Sequence, residues 1–318
     1  MTIDCHVHLS ALLPGHGSMS RRILKSPQFW LLAKWLGVPI DPARTDAALE
    51  AVLVRLLDEA VELDAVVLLA FDAVFNVDGL RNDADTHLTL ENDYVRLLAE
   101  RHRKILFGAS VHPYRPDAIA ELERCVRGGA VLLKWLPITQ GIDPSHPKCF
   151  EFYDALAHYK LPLLSHTGGE KMLPNINNLA DPTLLLPALR RGVTVIAAHC
   201  GTRSAGSETD YLPAWRKMAL GHEHFYGDTA ALNLPTRSYA YRTLLEDARL
   251  RAKLVHGSDW PVMPVPPASQ LGLAGALRQL EERNWLRRDV AIKRQIGLDT
   301  DYFARAGKLL RLSGNDLN

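Results

Sequence analysis

Eight short apolar runs, each followed by an amphipathic stretch, divide nearly the whole chain into repeating units. The runs are TIDCHVHL (2–9), DAVVLLAF (64–71), ILFGASVHP (105–113), AVLLKWLP (130–137), PLLSHTG (162–168), TVIAAHCG (194–201), HFYGDTAAL (224–232) and KLVHGSDWP (253–261). Their apolar parts are continuous rather than alternating, as expected of parallel strands covered on both faces. Between them lie helical patterns. The clearest, 46–63, sets Leu49, Val52, Leu53, Leu56, Leu57, Ala60 and Val61 on one stripe. Others fall in LENDYVRLLAERH, DAIAELERCV, KCFEFYDALAHY, DPTLLLPALRR, SYAYRTLLEDARL and the closing DYFARAGKLLRL. Strands alternating with helices eight times predict an α/β chain of the (β/α)8 TIM-barrel type, with a doubly wound open sheet as the rival arrangement. No composition break marks a linker, so residues 1–318 read as a single domain.

Three connections are oversized: 10–45, which carries SPQFWLLAKWLG, and the mostly polar 72–90 and 169–181. In a barrel all three lie at the C-terminal face, where catalytic groups collect. Polar residues crowd toward the same ends of the runs. His6 and His8 end the first, Lys134 the fourth, His166 the fifth, His199 the sixth and Asp259 the eighth. Lys134 to His166 is 32 residues and His166 to His199 is 33, one β/α unit each; the 60 from His199 to Asp259 skip the seventh strand. Equivalent positions on successive strands of a closed barrel converge on its axis. One strand histidine is more often a hydrogen-bonded core residue, and Lys134 or Asp259 alone could be an ion-pair partner or a cap. Six such side chains at matching strand ends point to a metal site. Alternation along the first strand puts Asp4 on the face of His6 and His8, and turns Cys5 toward the helices. The same argument turns Cys200 outward from His199. His112 and Asp228 end the third and seventh runs and fit either a supporting role at the site or a structural one.

These residues give the chain its resemblance to a known family. The opening D-x-H-x-H (Asp4, His6, His8), the fifth-strand histidine in LLSHTGG, the sixth-strand histidine in AAHCG and GSDWP on the eighth resemble the amidohydrolase superfamily. The closest likeness is to the branch of small, barrel-only metal-dependent hydrolases that includes aminocarboxymuconate-semialdehyde decarboxylase. The resemblance runs from the first strand to the final helix. It implies a distorted (β/α)8 barrel with one or two divalent metals at the C-terminal face, His6, His8, His166 and Asp259 binding metal. In binuclear relatives the fourth-strand lysine is carbamylated and bridges two metals, and the sixth-strand histidine binds the second. In mononuclear relatives that histidine is free for acid/base work. Lys134 and His199 occupy these two places. A lysine aimed into the barrel mouth beside a cation is unfavourable unless modified, which favours the binuclear version.

The chemistry implied is attack by metal-activated water, with Asp259 taking its proton and passing it to the leaving group, and the metal, helped by His199 in a mononuclear site, polarising the carbonyl. Neutral nitrogen and oxygen ligands suit zinc first. Hydrolysis of an ester, lactone or amide leads, and non-oxidative decarboxylation on the same scaffold follows. A metal-containing barrel that binds a ligand without turnover is the alternative of another class.

Composition limits the partners. Lys plus Arg (37) nearly cancels Asp plus Glu (36), so neither nucleic acid nor an anionic membrane is expected, and a small molecule is. No apolar run reaches membrane-spanning length and no leader pattern opens the chain. The cysteines at 5, 125, 149 and 200 have no framework spacing, and reduced thiols in the cytoplasm are the expectation. Lys171 and Arg203 are candidate anion anchors. Phe29, Trp30 and Trp35 could wall a flat substrate, or pack between the subunits of a homodimer.

Overall fold

The computed structural model describes residues 1–313; the last five residues of the single-domain expectation lie outside them. Eight parallel strands form one sheet in sequence order: β1 (Ile3–His8), β2 (Ala65–Leu69), β3 (Ile105–Ala109), β4 (Leu132–Trp135), β5 (Leu163–Ser165), β6 (Val195–Ala197), β7 (Phe225–Asp228) and β8 (Leu254–Val255). The ring closes where Val7 bridges Trp260. There Cys5 N–H donates to His256 O (3.0 Å), Asp259 N–H to His6 O (2.8 Å) and His8 N–H to Trp260 O (2.7 Å). The chain is therefore a (β/α)8 TIM barrel rather than an open sheet. Each strand is shorter than the apolar run that announced it; His6, His8 and Lys134 lie within their strands, whereas His166, His199 and Asp259 lie just beyond theirs.

Two apolar layers follow from strand alternation. Ile3, Val67, Leu106, Leu132, Leu164, Ile196 and Val255 fill the barrel interior, joined by Ala306 and Leu310 at the end of the chain's last helix (Thr300–Leu309). Val66, Leu68, Phe107, Leu133, Val195, Phe225 and Leu254 face the other way and pack with helix residues such as Leu53, Leu57, Leu122, Phe152 and Trp215. On the Thr45–Glu59 helix Leu49, Leu53, Leu56 and Leu57 are buried as the stripe predicts, but Val61 lies beyond its end, 80% exposed. Helices Leu212–Gly221, Ala268–Leu280 and Trp285–Gln295, absent from the helical patterns picked out above, complete the outer ring.

One expectation about the cysteines is corrected. The β1–β2 register slips by a residue between Asp4 and Val7. A bulge of this kind breaks strict alternation, and Cys5 joins Ile3 in the interior layer instead of facing the helices. Cys200 does face outward, against Trp215 and Gly227. All four cysteines are buried and unbridged.

The oversized connections meet above the barrel. Gly17–Met19 from the first pairs antiparallel with Leu88–Leu90 from the second. Beside this ribbon the first connection forms a helix, Pro27–Leu36, with Ser26 capping its start and Gly37 in a left-handed turn at its end. Phe29 and Ala33 point inward, while Trp30 and Trp35 stay more than half exposed. Among the described residues no helix is long and apolar enough to cross a membrane.

Candidate active site

Four of the predicted side chains crowd around one atom. His6 Nε2 has Lys134 Nζ at 3.0 Å, His8 Nε2 at 3.0 Å and Asp259 Oδ1 at 3.3 Å; His8 Nε2 lies 3.5 Å from the same Oδ1. Burial holds both imidazoles well below their ordinary pKa, and so neutral. His6 Nδ1 lies 2.7 Å from Asp228 Oδ2, whose other oxygen accepts the backbone N–H groups of His199 (2.7 Å) and Ala230 (3.1 Å). That carboxylate fixes the proton on Nδ1 and leaves the Nε2 lone pair aimed at the cluster. One sp² lone pair cannot satisfy three neighbours, one of them a carboxylate oxygen.

His166 and His199 stand beside this cluster. The His199 ring centroid lies 5.2 Å from that of His6 and 4.9 Å from that of His166. His199 Nδ1 is 2.8 Å from Ala230 O, and a carbonyl only accepts, so the proton sits on Nδ1 and Nε2 is bare. His166 Nε2 is buried without a partner among the described residues. Burial lowers the pKa of both rings. It also pulls Lys134 down and pushes Asp259 up, each partly restrained by the other's charge. The backbone is strained at both proposed acid/base positions: His199 has φ 58° and Asp259 φ 66°. Left-handed conformations in non-glycine residues concentrate at functional sites.

The residues fit a divalent cation. His6 Nε2, His8 Nε2 and Asp259 Oδ1 lie within 4.8 Å of one another, the orphaned His166 Nε2 is close by, and the set is neutral imidazole plus carboxylate. Asp4 is different. Its Oδ1 accepts from Ser258 N (2.9 Å) and His6 N (3.1 Å), so it braces the β1–β8 seam from behind instead of sharing the histidine face.

Other expectations resolve locally. Lys171 is exposed and pairs with Glu208 at 3.1 Å, and Arg203 lies over the Tyr239 ring; neither is an uncommitted anchor. Asp228 takes the supporting role. His112 is structural: Nε2 donates to Gln140 O (2.8 Å) and Nδ1 accepts from Tyr114 N (3.2 Å), a neutral ring used at both nitrogens. Two groups at the site were missed. Glu170 Oε2 lies 4.0 Å from His166 Nδ1. Arg237, buried, donates to Thr202 O (2.8 Å), Thr202 Oγ1 (2.7 Å) and Gly169 O (2.6 Å), stapling the loops after β5 and β6 together. An arginine in NLPTRSY reads as a surface residue, because nothing local reveals its distant carbonyl partners.

His112 gives a pH prediction. Burial lowers its pKa to about 4, against 6.5 for a free histidine. The unfolded chain binds this proton more readily, so the contribution is complete above pH 6.5 and lost as pH falls toward 4, about 3 kcal/mol in all. Denaturant unfolding from pH 7 to 4 should show this fall added to that of the other buried histidines, and His112→Gln should make the total shallower by about 3 kcal/mol. An unchanged slope in the variant would rule the assignment out.

Residues 3–295 match the Amidohydrolase family, and the chain belongs to it. It is thus a metal-dependent enzyme of the amidohydrolase superfamily. Among solved structures it is similar to an uncharacterised TIM-barrel protein from Bordetella bronchiseptica (TM-score 0.61, 13% identity, 93% of this chain and 99% of that one). It is similar also to a probable 2-pyrone-4,6-dicarboxylic acid hydrolase from Acinetobacter baumannii with citric acid bound (TM-score 0.56, 15% identity, 99% and 97%). A third is a dihydroxybenzoic acid decarboxylase from Polaromonas sp. JS666 with bound manganese and 2-nitroresorcinol (TM-score 0.53, 14% identity, 99% and 98%). At these identities the likeness is one of fold. No curated protein matches the chain.

Proposed function

We propose that the protein is a metal-dependent hydrolase acting on an ester, lactone or amide of a small molecule. His6, His8, His166 and Asp259 hold zinc in this reading. Lys134, carbamylated, and His199 complete a second position. The observation that carries it is the crowding on His6 Nε2, where a lysine, an imidazole and a carboxylate converge within 3.3 Å and a divalent cation would bring the imidazoles and the carboxylate together as ligands. A divalent ion bound there would lower the pKa of its water from 15.7 toward about 7.

The chain's own groups do the rest. The Asp259 carboxylate, one oxygen of which faces the donor cluster, accepts the proton of the attacking water and delivers it to the leaving atom. Asp228 holds His6 in the tautomer that presents Nε2. The bare Nε2 of His199 suits a ligand or a base, not a donor, which favours the binuclear version. The buried, unbridged thiols favour a cytoplasmic setting, and exposed Trp30 and Trp35 favour a homodimer.

Elemental analysis of protein expressed with zinc and bicarbonate tests the centre. Two metals per chain are expected. One metal would free His199 and raise decarboxylation, and a metal-free protein that resists reloading would sink the reading. A panel of esters, lactones, amides and aromatic carboxylic acids tests the reaction. Hydrolysis is expected; carbon dioxide release alone would replace the hydrolase with a decarboxylase.

A further inference from the structure

The Pro27–Leu36 helix does more than roof the barrel. Between it and the turn after β8 lies a cavity of about 30 Å³ walled by His8, Phe29, Ala33, Leu36, Val38 and Trp260. Phe29, Ala33, Val38 and Trp260 are buried, Leu36 is half-buried, and Ile40 at the rim is exposed. His8 lines this cavity and also belongs to the donor cluster, so the cavity adjoins the cluster across one imidazole. A surface hollow of about 770 Å³ along the Thr45–Glu59 helix, beside Glu50, Arg55 and His102, touches none of the cluster.

The cavity's chemistry is selective. It has room for about two water-sized groups, yet a trapped water needs two to four polar partners. Most of the wall is hydrocarbon, and the Thr45 hydroxyl on its edge is already bonded to Pro39 O and Asp41 O. A short hydrocarbon group fits such a wall.

We propose that this cavity seats a short, unbranched alkyl group of the substrate, attached beside the scissile carbonyl. The substrate class is then short-chain acyl esters, or lactones and amides bearing such a chain. The proposal rests on the hydrolase reading for the bond cleaved, but not for the binding of the chain.

The test is isothermal titration of the zinc-loaded full chain with acetate, butyrate and octanoate. Each methylene entering an apolar site strengthens binding about fourfold, so butyrate, two methylenes longer, should bind about fifteenfold more tightly than acetate, and octanoate should gain nothing further. Ala33→Phe fills the space and should erase the butyrate advantage. Leu36→Ala enlarges it and should extend the gain to longer chains. A flat series that neither variant changes overturns the proposal. Parallel assays with p-nitrophenyl acetate, butyrate and octanoate separate the two ideas. Chain-length selectivity in binding without cleavage keeps the cavity and removes the hydrolase; cleavage with a flat binding series does the reverse.

Discussion

Asp259→Asn is expected to lower kcat by a factor of about 10² to 10⁴, the range for losing a positioned general base. The substitution is chosen for its backbone as well as its chemistry. Asp259 sits at φ 66°, a conformation that aspartate and asparagine tolerate and alanine does not. Asparagine also keeps an oxygen where Oδ1 now lies 3.3 Å from His6 Nε2 and 3.5 Å from His8 Nε2. What it removes is the capacity to accept a proton. Steady-state kinetics on whichever substrate of the panel is cleaved, with circular dichroism to confirm the fold, is the measurement. A fall of less than tenfold would move the base elsewhere, with Glu170 beside His166 the next candidate. If the protein only binds its ligand, affinity should survive and no turnover should exist to lose.

Lys293→Met should cost about 3–5 kcal/mol of folding free energy, the range for breaking a buried ion pair from one side. Lys293 and Asp289, both on the Trp285–Gln295 helix, are buried and 2.5 Å apart. Lys293 Nζ also donates to Gly257 O at 2.6 Å, and Asp289 accepts from Asn233 Nδ2 at 2.6 Å. Without the lysine, Asp289 is left in a dry site short of its counter-charge. Burial already pushes Asp289 up to about 6, and removing the cation raises it further. A carboxyl raised in the folded state loses stability as pH rises above its unfolded value, so the penalty should be small near pH 4 and grow as pH rises through 6 and beyond. Adding Asp289→Asn should recover most of it. Denaturant unfolding of the three variants reads the result, and a cost below 1 kcal/mol at pH 7 would show that the pair does not stabilise the fold. The pair has a functional address as well. Gly257 begins the turn that delivers Asp259, and the Asp4 carboxylate braces Ser258 in the same turn, so the variant should also weaken metal retention.

How much of this was written in the sequence depends on range. The eight strands were legible because a buried parallel strand is a local apolar run, and the cluster was legible because His6, His8, Lys134 and Asp259 each end such a run. The tautomers were not, since the proton on His6 Nδ1 is set by Asp228, 222 residues away. Cys5 was misplaced because a one-residue slip against β2 is a property of the pair of strands and not of either alone.

The sequence by itself determined the barrel and the convergence of its polar strand ends, since side-chain periodicity and run length act within a few residues. Tertiary structure alone decided what those ends can do. The left-handed turns that aim His199 and Asp259, the Arg237 staple, the buried Lys293–Asp289 pair and the apolar cavity beside His8 all depend on groups meeting across the fold. Their energies come from burial and from hydrogen bonds to distant backbone, which no local pattern of residues records.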